Sequence, residues 1–289
     1  MGLIDFILNL AALLLWLNWR SLHFDPLART LPSTLVGTLK RAEPRRWAGW
    51  QLLLGLALLL AVRAVLYWDI GSAANWTPKL DLGVVALAFR SGSFPPALSL
   101  HATALYSVLS LGRLLFIFYF WLLIVALINR RTAEPDAIQK IIRLHLGRLL
   151  RWPWAAQLAL PVLLALALWI GLHPILVSLD VVGRVRSLTL LVEQGFLVGG
   201  GLFFTLKYLL PVLLLLHLVN SYVYLGASPF WEFVSTTATN LLRPLKFLRH
   251  GKLDFAPLAG ILLILGFLHW LPNLFLRWLL NRDLTLWPQ

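Results

Sequence analysis

The sequence predicts an all-α integral membrane protein with about six transmembrane helices. Sixty per cent of the 289 residues are hydrophobic and only 13% are charged, whereas soluble domains average roughly 45–50% and 25%. So few charges would not cover the surface of a soluble protein of this length. Nine of the 14 tryptophans lie near the ends of apolar runs, as is typical of the boundary between hydrocarbon and headgroups: Trp16, Trp19, Trp47, Trp50, Trp68, Trp152, Trp154, Trp270 and Trp278. Composition therefore excludes a soluble globular protein.

Six apolar runs are long enough to cross about 30 Å of hydrocarbon at about 1.5 Å per helical residue. They cover residues 3–19, 48–68, 103–128, 154–177, 200–225 and 256–280. The first is the shortest, which leaves open whether it crosses fully. Residues 82–100 are also apolar, but Arg90, Gly92, Pro95 and Pro96 interrupt them. Because lipid-exposed breaks are not tolerated in hydrocarbon, we expect a re-entrant or surface-lying segment there.

Basic residues concentrate in alternate linkers. Residues 20–46, 129–153 and 226–255 hold 16 of the 25 Lys and Arg residues. The positive-inside rule predicts that these three linkers are cytoplasmic and that both ends of the chain lie outside. The net charge of +13 is then mainly a topology signal. No nucleic-acid recognition motif accompanies it, so the expected partner of this charge is the anionic inner leaflet and not a specific nucleic acid.

Each basic linker opens with a polar or acidic residue and Pro: Asp25-Pro26, Glu134-Pro135 and Ser228-Pro229. Pro favours the first helical position, and Asp or Ser before it can cap the helix. Apolar residues at helical spacing follow. They are Leu27, Leu31, Leu35 and Leu39 in the first linker; Ile138, Ile141, Ile142 and Leu149 in the second; and Val234, Ala238, Leu241, Leu245 and Leu248 in the third. These stripes are expected to lie on the inner leaflet or to pack on the spans; the two interpretations have equal weight and do not exclude each other. The inner-leaflet basic face would include Arg143, Arg148 and Lys246.

The pattern predicts three span–amphipathic helix–span units. They cover residues 1–70, 103–178 and 200–281, and residues 71–102 form an external loop. An Asn ends each odd-numbered span: Asn18, Asn129 and Asn220. Repeats of equal orientation imply pseudo-symmetry about the membrane normal, as in parallel-repeat transporters.

The last unit carries a more specific resemblance. Residues 206–272 resemble the YggT family of membrane proteins, also called YlmG, and residues 114–172 resemble a degenerate second copy. The matching positions are Ser228-Pro229-Phe230, Leu242-Arg243-Pro244-Leu245 and the turn from Gly251 through Asp254 to Pro257. Two positions depart from the family pattern: Asn220 lies where an Arg is often found, and the loop before Asp254 is short and lacks its usual Pro.

The resemblance implies a bacterial cytoplasmic (inner) membrane location. It also implies roles in membrane-protein or cofactor assembly, in cell division and nucleoid organisation, or in osmotic tolerance, with no catalytic residue to carry over. In the same turn, we expect Gly251 to supply a backbone conformation that a Cβ would hinder. Asp254 should cap the last helix, with Pro257 in its first turn.

Six polar residues within or at the ends of spans are candidate functional groups. They are Arg63, Arg113, Lys207, His217, Asn220 and His269. Charges inside a membrane are costly and favour a functional hypothesis, but the three basic residues fall toward the outer interface, where long side chains snorkel. Snorkelling is the favoured interpretation, with Asp5 and Glu193 as candidate acidic partners. His217 and His269 are expected to face one another, most simply through an interhelical hydrogen bond.

Catalytic and cofactor motifs are missing from the sequence. There is no Cys, no helical His pair for a metal, and no nucleophile elbow, phosphate loop or dinucleotide fingerprint. We therefore expect no enzyme activity and no cofactor. The preferred function is a non-enzymatic scaffold or assembly factor that binds other membrane proteins. The alternative is a small transporter or channel linked to osmotic or ion tolerance. Either function is compatible with a homo-oligomer. Gly199-Gly200-Gly201 predicts close helix approach or a bend.

Overall fold

The computed structural model describes residues 2–23, 49–73, 76–83, 85–89, 99–132, 137–185, 187–223, 228–250 and 253–280. The described chain is predominantly α-helical, which confirms the predicted fold class. The helices are α1 (Gly2–His23), α2 (Gly49–Ala73), α3 (Leu100–Ile128), α4 (Ala137–Leu146), α5 (Trp154–Ser178), α6 (Leu188–Gly201), α7 (Leu206–Tyr222), α8 (Pro229–Leu241) and α9 (Ala256–Leu280). Short 3₁₀ segments cover Gly147–Arg151, Leu202–Thr205 and Arg243–Leu248.

Five helical segments in the described ranges are long and apolar enough to cross a membrane. They are Gly2–Arg20, Gly49–Gly71, Leu100–Ile128, Trp154–Ser178 and Leu188–Tyr222, so the protein is a multi-pass membrane protein. They coincide with the first five predicted spans. The fifth begins at Leu188 instead of residue 200, because α6 and α7 continue through a 3₁₀ turn. The apolar part of α9, Ala256–Leu271, is shorter, and the sixth span stays a prediction.

The chain divides into two compact units. The first contains residues 1–78 and 89–115, and the second contains residues 79–88 and 116–289. In the first unit α1 packs along α2. The core of this unit is formed by Ala12 of α1, Leu56 of α2 and Leu111 of α3.

In the second unit, small residues let α5 and α6 approach closely. A Cβ on Gly199 would lie 3.0 Å from the Cα and the carbonyl oxygen of Val162 in α5. A residue with a Cβ would force one of the two backbones to shift by a few tenths of an ångström, whereas glycine fits without adjustment. Close helix approach at Gly199, predicted from the glycine run, is therefore confirmed.

The amphipathic helices α4 and α8 also belong to the second unit. Ile142 and Leu146 of α4 are buried against Leu123 and Val125 of α3. Ala238 of α8 is buried in a cluster with residues of α7 and α9. In both helices part of the predicted stripe packs on the spans, as one of the two interpretations proposed, whereas Ile141 of α4 is 53% exposed. The first stripe, residues 27–39, lies outside the described residues.

Two short hairpins interrupt the helices. Strand β1 (Lys79–Asp81) pairs antiparallel with β2 (Ala86–Ala88), and β3 (Arg249–His250) with β4 (Leu253–Asp254). Part of the segment predicted to be re-entrant or surface-lying is thus a strand, and its residues 90–98 lie outside the described residues. Gly83, at φ +95°, abuts the carbonyl of Gly201 so closely that a Cβ would clash. The hairpin therefore requires glycine there.

The third unit's predicted caps need correction. Ser228 precedes α8 and Pro229 is its first residue, as predicted, but the Ser228 side chain makes no capping hydrogen bond. Asp254 lies in β4, and Phe255 is the residue before α9. The prediction that Asp254 occupies the cap position was wrong, because Asp254 pairs with Arg249 in a hairpin and α9 begins only at Ala256. Pro257 does lie in the first turn of α9, while Gly251 lies outside the described residues.

Candidate functional site

The first unit contains a buried polar cluster assembled from three apolar helices. Each helix contributes polar side chains four residues apart, which places them on one face. The cluster consists of Asp5 and Asn9 of α1, Arg63 and Tyr67 of α2, and Tyr106 and Ser110 of α3. We call it the Arg63 cluster. Its central residue, Arg63, is 0% exposed.

The Arg63 guanidinium is held by side chains from all three helices. Its Nη2 lies 2.5 Å from Asp5 Oδ1 and donates to Ser110 Oγ at 2.8 Å. Its Nη1 donates to Asn9 Oδ1 at 2.9 Å, and its Nε donates to Tyr67 Oη at 3.2 Å. All three nitrogens therefore have an acceptor, which offsets the desolvation of a buried charge.

The Asp5 carboxylate is equally well satisfied. The Tyr67 hydroxyl donates to its Oδ1 at 2.7 Å, and the Tyr106 hydroxyl at 3.3 Å. Asn9 Nδ2 donates to Oδ2 at 3.1 Å. A buried ion pair is stable only when additional hydrogen bonds satisfy both partners, and Asp5 meets this requirement.

Aromatic rings enclose one side of the pair. The Arg63 Cζ lies 5.3 Å from the Tyr67 ring centroid and 5.7 Å from that of Tyr106, within cation–π range. The Trp76 ring contacts both tyrosines at centroid distances of 5.1 and 6.1 Å, and Phe89 contacts Tyr106 at 5.5 Å. These rings cover part of the guanidinium, which is fully buried, while the Asp5 side chain stays 24% exposed.

Snorkelling was therefore the wrong interpretation for Arg63. The side chain points inward because neighbouring helices supply it with acceptors, and Asp5, one of the two acids predicted as partners, is the residue it pairs with. The cluster joins α1, α2 and α3 through directional contacts. An ion pair of this kind, whose two charges balance and whose hydrogen bonds are satisfied, links the helices. We call this role a clamp between helices.

A second polar junction lies in the second unit, at the end of α3. Asn129, 3% exposed, donates from Nδ2 to Thr237 Oγ1 of α8 at 2.8 Å. Asn240 Nδ2, also on α8, donates to Asn129 Oδ1 at 2.9 Å and to Thr132 Oγ1 at 3.1 Å. This Asn129 junction fixes α8 against the end of α3.

Two cavities adjoin the junction. The first, about 250 Å³, is lined by Asn129, Arg130, Gln139, Arg143 and Gln157, with Val125, Ala126, Ile142 and Leu150 as apolar walls. The second, about 620 Å³, is lined by Leu127, Ile128, Arg130, Arg131, Trp154, Asn240 and Arg243. We call the second the Arg243 cavity. Both cavities place arginines beside apolar side chains at the ends of spans.

Only some of the residues predicted to form a basic face line these cavities. Arg143 is exposed on α4 and lines the smaller cavity. Arg148 is exposed in the following 3₁₀ segment. Arg243 is exposed and lines the larger cavity, and Pro244 follows it in an exposed position. The Lys246 side chain lies outside the described part of the structure.

The other candidate residues lie elsewhere on the helices. Arg113 of α3 is partly buried. Lys207 of α7 is partly exposed, and its Nζ lies 5.0 Å from the Tyr208 ring centroid. His217 and Asn220 of α7 are partly buried, and His269 of α9 is exposed. Helices α7 and α9 pack on each other. That the two histidines face one another stays a prediction.

Sequence reasoning missed several members of these networks. Asn9, Tyr67, Tyr106 and Ser110 each stand four residues from another polar residue on an otherwise apolar helix, and that spacing is the signal that would have found them. Asn129 was noted only as the end of a span. Within the described ranges, no group of three or more His, Asp or Glu side chains is placed to hold a metal ion.

Comparison of the chain with models of protein families, with curated proteins and with solved structures finds no match. The resemblance to the YggT family therefore stays a prediction that depends on the motif residues alone. The site must be interpreted from its own chemistry.

Proposed function

We propose that the protein is a non-enzymatic scaffold or assembly factor of the bacterial inner membrane that binds other membrane proteins through its basic face. The observation that carries the proposal is the packing of α4 and α8. Each helix packs apolar residues on the spans, and Arg143, Arg148 and Arg243, on or beside these helices, are exposed. Four residues form this proposed docking face: Arg143, Arg148, Arg243 and Lys246.

The docking face is held at fixed positions. On α4, Ile142 is 5% exposed, whereas the next residue, Arg143, is exposed. Helix α4 also contacts α8, and the Asn129 junction ties α8 to the end of α3. Arginines on a rigid support lose less conformational entropy on binding than arginines on a flexible linker. A fixed pattern of positive charge favours selective binding of an acidic segment of a partner protein.

Neutralising the docking face should separate a scaffold from a transporter. We expect the variant Arg143→Gln, Arg148→Gln, Arg243→Gln, Lys246→Gln to recover fewer membrane partners in quantitative pull-downs from native membranes, because each basic residue near an anionic surface contributes roughly 1 kcal/mol.

The comparison variant is His217→Leu, His269→Leu, which changes polar groups within the spans and leaves the basic face intact. It should retain its partners. Insertion of both variants must first be verified, since the same charges direct topology. Equal partner recovery by the basic-face variant and the parent would exclude the docking face.

The proposed orientation has its own test. Single Cys residues at Lys140, Thr239 and Ser178, all exposed positions, report unambiguously in this Cys-free chain. Cytoplasmic basic linkers require that an impermeant thiol reagent label Ser178→Cys in intact cells. The same reagent should label Lys140→Cys and Thr239→Cys only after the inner face is opened. Labelling of Lys140→Cys from outside in intact cells would show that the orientation is the opposite of the one proposed.

One observation favours a small transporter as the second candidate. The Arg63 cluster is a buried ion pair in spans, where charges often mark transport paths, and helix α7 contains Pro211 while α5 contains Pro161 and Pro174. Against this, all three Arg63 nitrogens are already bonded to protein acceptors. Solute flux in reconstituted vesicles that is lost when Arg63 is replaced, in a variant that remains folded, would favour transport over the scaffold.

A further inference from the structure

We propose that the Arg243 cavity is a binding site for the phosphate group of an anionic phospholipid. Three arginines line it: Arg130 and Arg131, two and three residues after the end of α3, and Arg243, two residues after the end of α8. Its volume of about 620 Å³ falls within the roughly 300–1,000 Å³ of small-molecule sites. Such a site would bind one phosphate group at a defined position, whereas a general attraction of the basic face to the leaflet would not select any position.

The charge of the cavity fits a phosphate. Three arginines line it, and none of the described residues that line it is acidic. The linker as a whole, residues 129–153, carries six basic residues against Glu134 and Asp136. Guanidinium groups bind phosphate oxygens through two parallel N–H donors, which gives both strength and geometric selectivity.

The apolar part of the lining indicates a lipid and not a soluble phosphate. Leu127 and Ile128 belong to the last turn of a membrane-spanning helix, and Trp154 is the first residue of the next span. Trp favours the headgroup level of a bilayer. A phospholipid in this cavity would place its phosphate on the arginines and its glycerol and upper acyl chain on the leucine, isoleucine and tryptophan. Basic cavities between transmembrane helices are known to hold anionic headgroups in this manner.

The polar wall of the cavity is preorganised. Asn240 lines the cavity, and its amide nitrogen is held by Asn129 at 2.9 Å and by Thr132 at 3.1 Å. The position of α8 relative to the end of α3 is thereby fixed before any ligand arrives. The arginines themselves are exposed at the rim, so their long side chains can close on a headgroup.

The lipid site does not depend on the proposed scaffold function. Arg131 and Arg130 line the cavity but do not belong to the docking face, and only Arg243 is shared. Lipid binding is measured on the isolated protein without any partner protein. A failure of the scaffold proposal would therefore leave the lipid site standing, and the reverse also holds.

The test compares two variants with equal loss of charge. Arg131→Gln, Arg243→Gln removes two cavity residues, whereas Lys140→Gln, Arg151→Gln removes two exposed basic residues that line neither cavity. The full-length protein is incorporated into nanodiscs containing phosphatidylcholine with a minor fraction of phosphatidylglycerol or cardiolipin. After extraction into mild detergent, native mass spectrometry counts the phospholipids that stay bound.

We expect the parent protein and Lys140→Gln, Arg151→Gln to retain the anionic phospholipid preferentially over phosphatidylcholine. Arg131→Gln, Arg243→Gln should bind it at least about 100-fold more weakly, as expected for the loss of two hydrogen-bonded contacts to a charged group. Arg131→Lys, Arg243→Lys keeps the charge that directs topology but removes the bidentate donors. It should show an intermediate affinity, and it carries the test if the Gln variant does not insert.

Two results would overturn the proposal. Equal loss of lipid in both Gln variants, or full retention in Arg131→Lys, Arg243→Lys, would mean that surface charge alone attracts the lipid. Complete displacement of the lipid by millimolar inorganic phosphate, with phosphate itself bound to the parent protein, would assign the cavity to a soluble phosphate. Thermal unfolding of each variant in detergent verifies that a loss of lipid does not result from unfolding.

Discussion

Asp5→Leu should destabilise the protein by about 3–5 kcal/mol, the cost of leaving one member of a buried ion pair without its partner. Arg63 is 0% exposed and would lose its carboxylate, while the hydroxyls of Tyr67 and Tyr106 would lose an acceptor. The measurement is thermal or denaturant unfolding in a fixed detergent. Because the Arg63 side chain is fully buried, it would have to reorient to reach another acceptor for its charge.

The double variant Asp5→Leu, Arg63→Met tests whether the pair acts as a unit. Removing both charges eliminates the uncompensated guanidinium, so the double variant should be more stable than Asp5→Leu alone. Strictly additive losses in this double-mutant cycle would contradict a direct coupling between the two residues. If the cluster is a clamp, the double variant should also keep its partner binding, whereas a transport path through Arg63 would be lost in it.

Gly199→Ala should destabilise the packing of α5 on α6 by about 1–3 kcal/mol, the usual cost of overfilling a close contact. The added methyl would lie 3.0 Å from the backbone of Val162, and backbone atoms cannot move aside as the end of a flexible side chain can. The two helices would have to separate. Unfolding midpoints in detergent, compared with those of the parent, measure the effect.

Gly171→Ala is the matched control, because it makes the same change on α5 where a Cβ would meet no atom within 4 Å. There the gain in helix propensity should dominate and raise stability by up to about 1 kcal/mol. Opposite signs for the two substitutions would support the close approach. If Gly199→Ala were as stable as Gly171→Ala, the α5–α6 contact would have to be looser than the structure shows.

The long apolar runs predicted the helices well because span length and hydropathy are local properties of the sequence. The partner of Arg63 could also be predicted, since an unpaired charge in a span requires an acid and Asp5 was one of two candidates. The burial of Arg63 could not be predicted. Whether its side chain extends to the membrane surface or turns inward depends on which neighbouring helices offer it acceptors. That choice depends on Asn9, Tyr106 and Ser110, which lie 54, 43 and 47 residues away in the sequence.

Other failures also have physical causes. Asp is a preferred residue type at the start of a helix, which led to the prediction for Asp254. In the structure, however, the Asp254 backbone pairs with Arg249 in a strand and does not occupy the cap position. The arginines of the Arg243 cavity were recognised as topology signals, yet their grouping with Trp154 depends on how the ends of α3, α5 and α8 are packed together. Such proximity is a tertiary property, and single-sequence patterns do not encode it directly.

The Asn129 junction has a consequence for how the chain is made. Asn129 bonds to residues that follow it by 108 and 111 positions, so at a synthesis rate of roughly 5–20 residues per second it waits about 5–20 seconds for them. During this interval α3 is already in place with a polar side chain that lacks its final acceptor. Emergence of α8 from the ribosome therefore sets the earliest moment at which the Asn129 end of α3 can take its final form. A chain truncated before Thr237 should leave this end accessible to proteases or membrane chaperones.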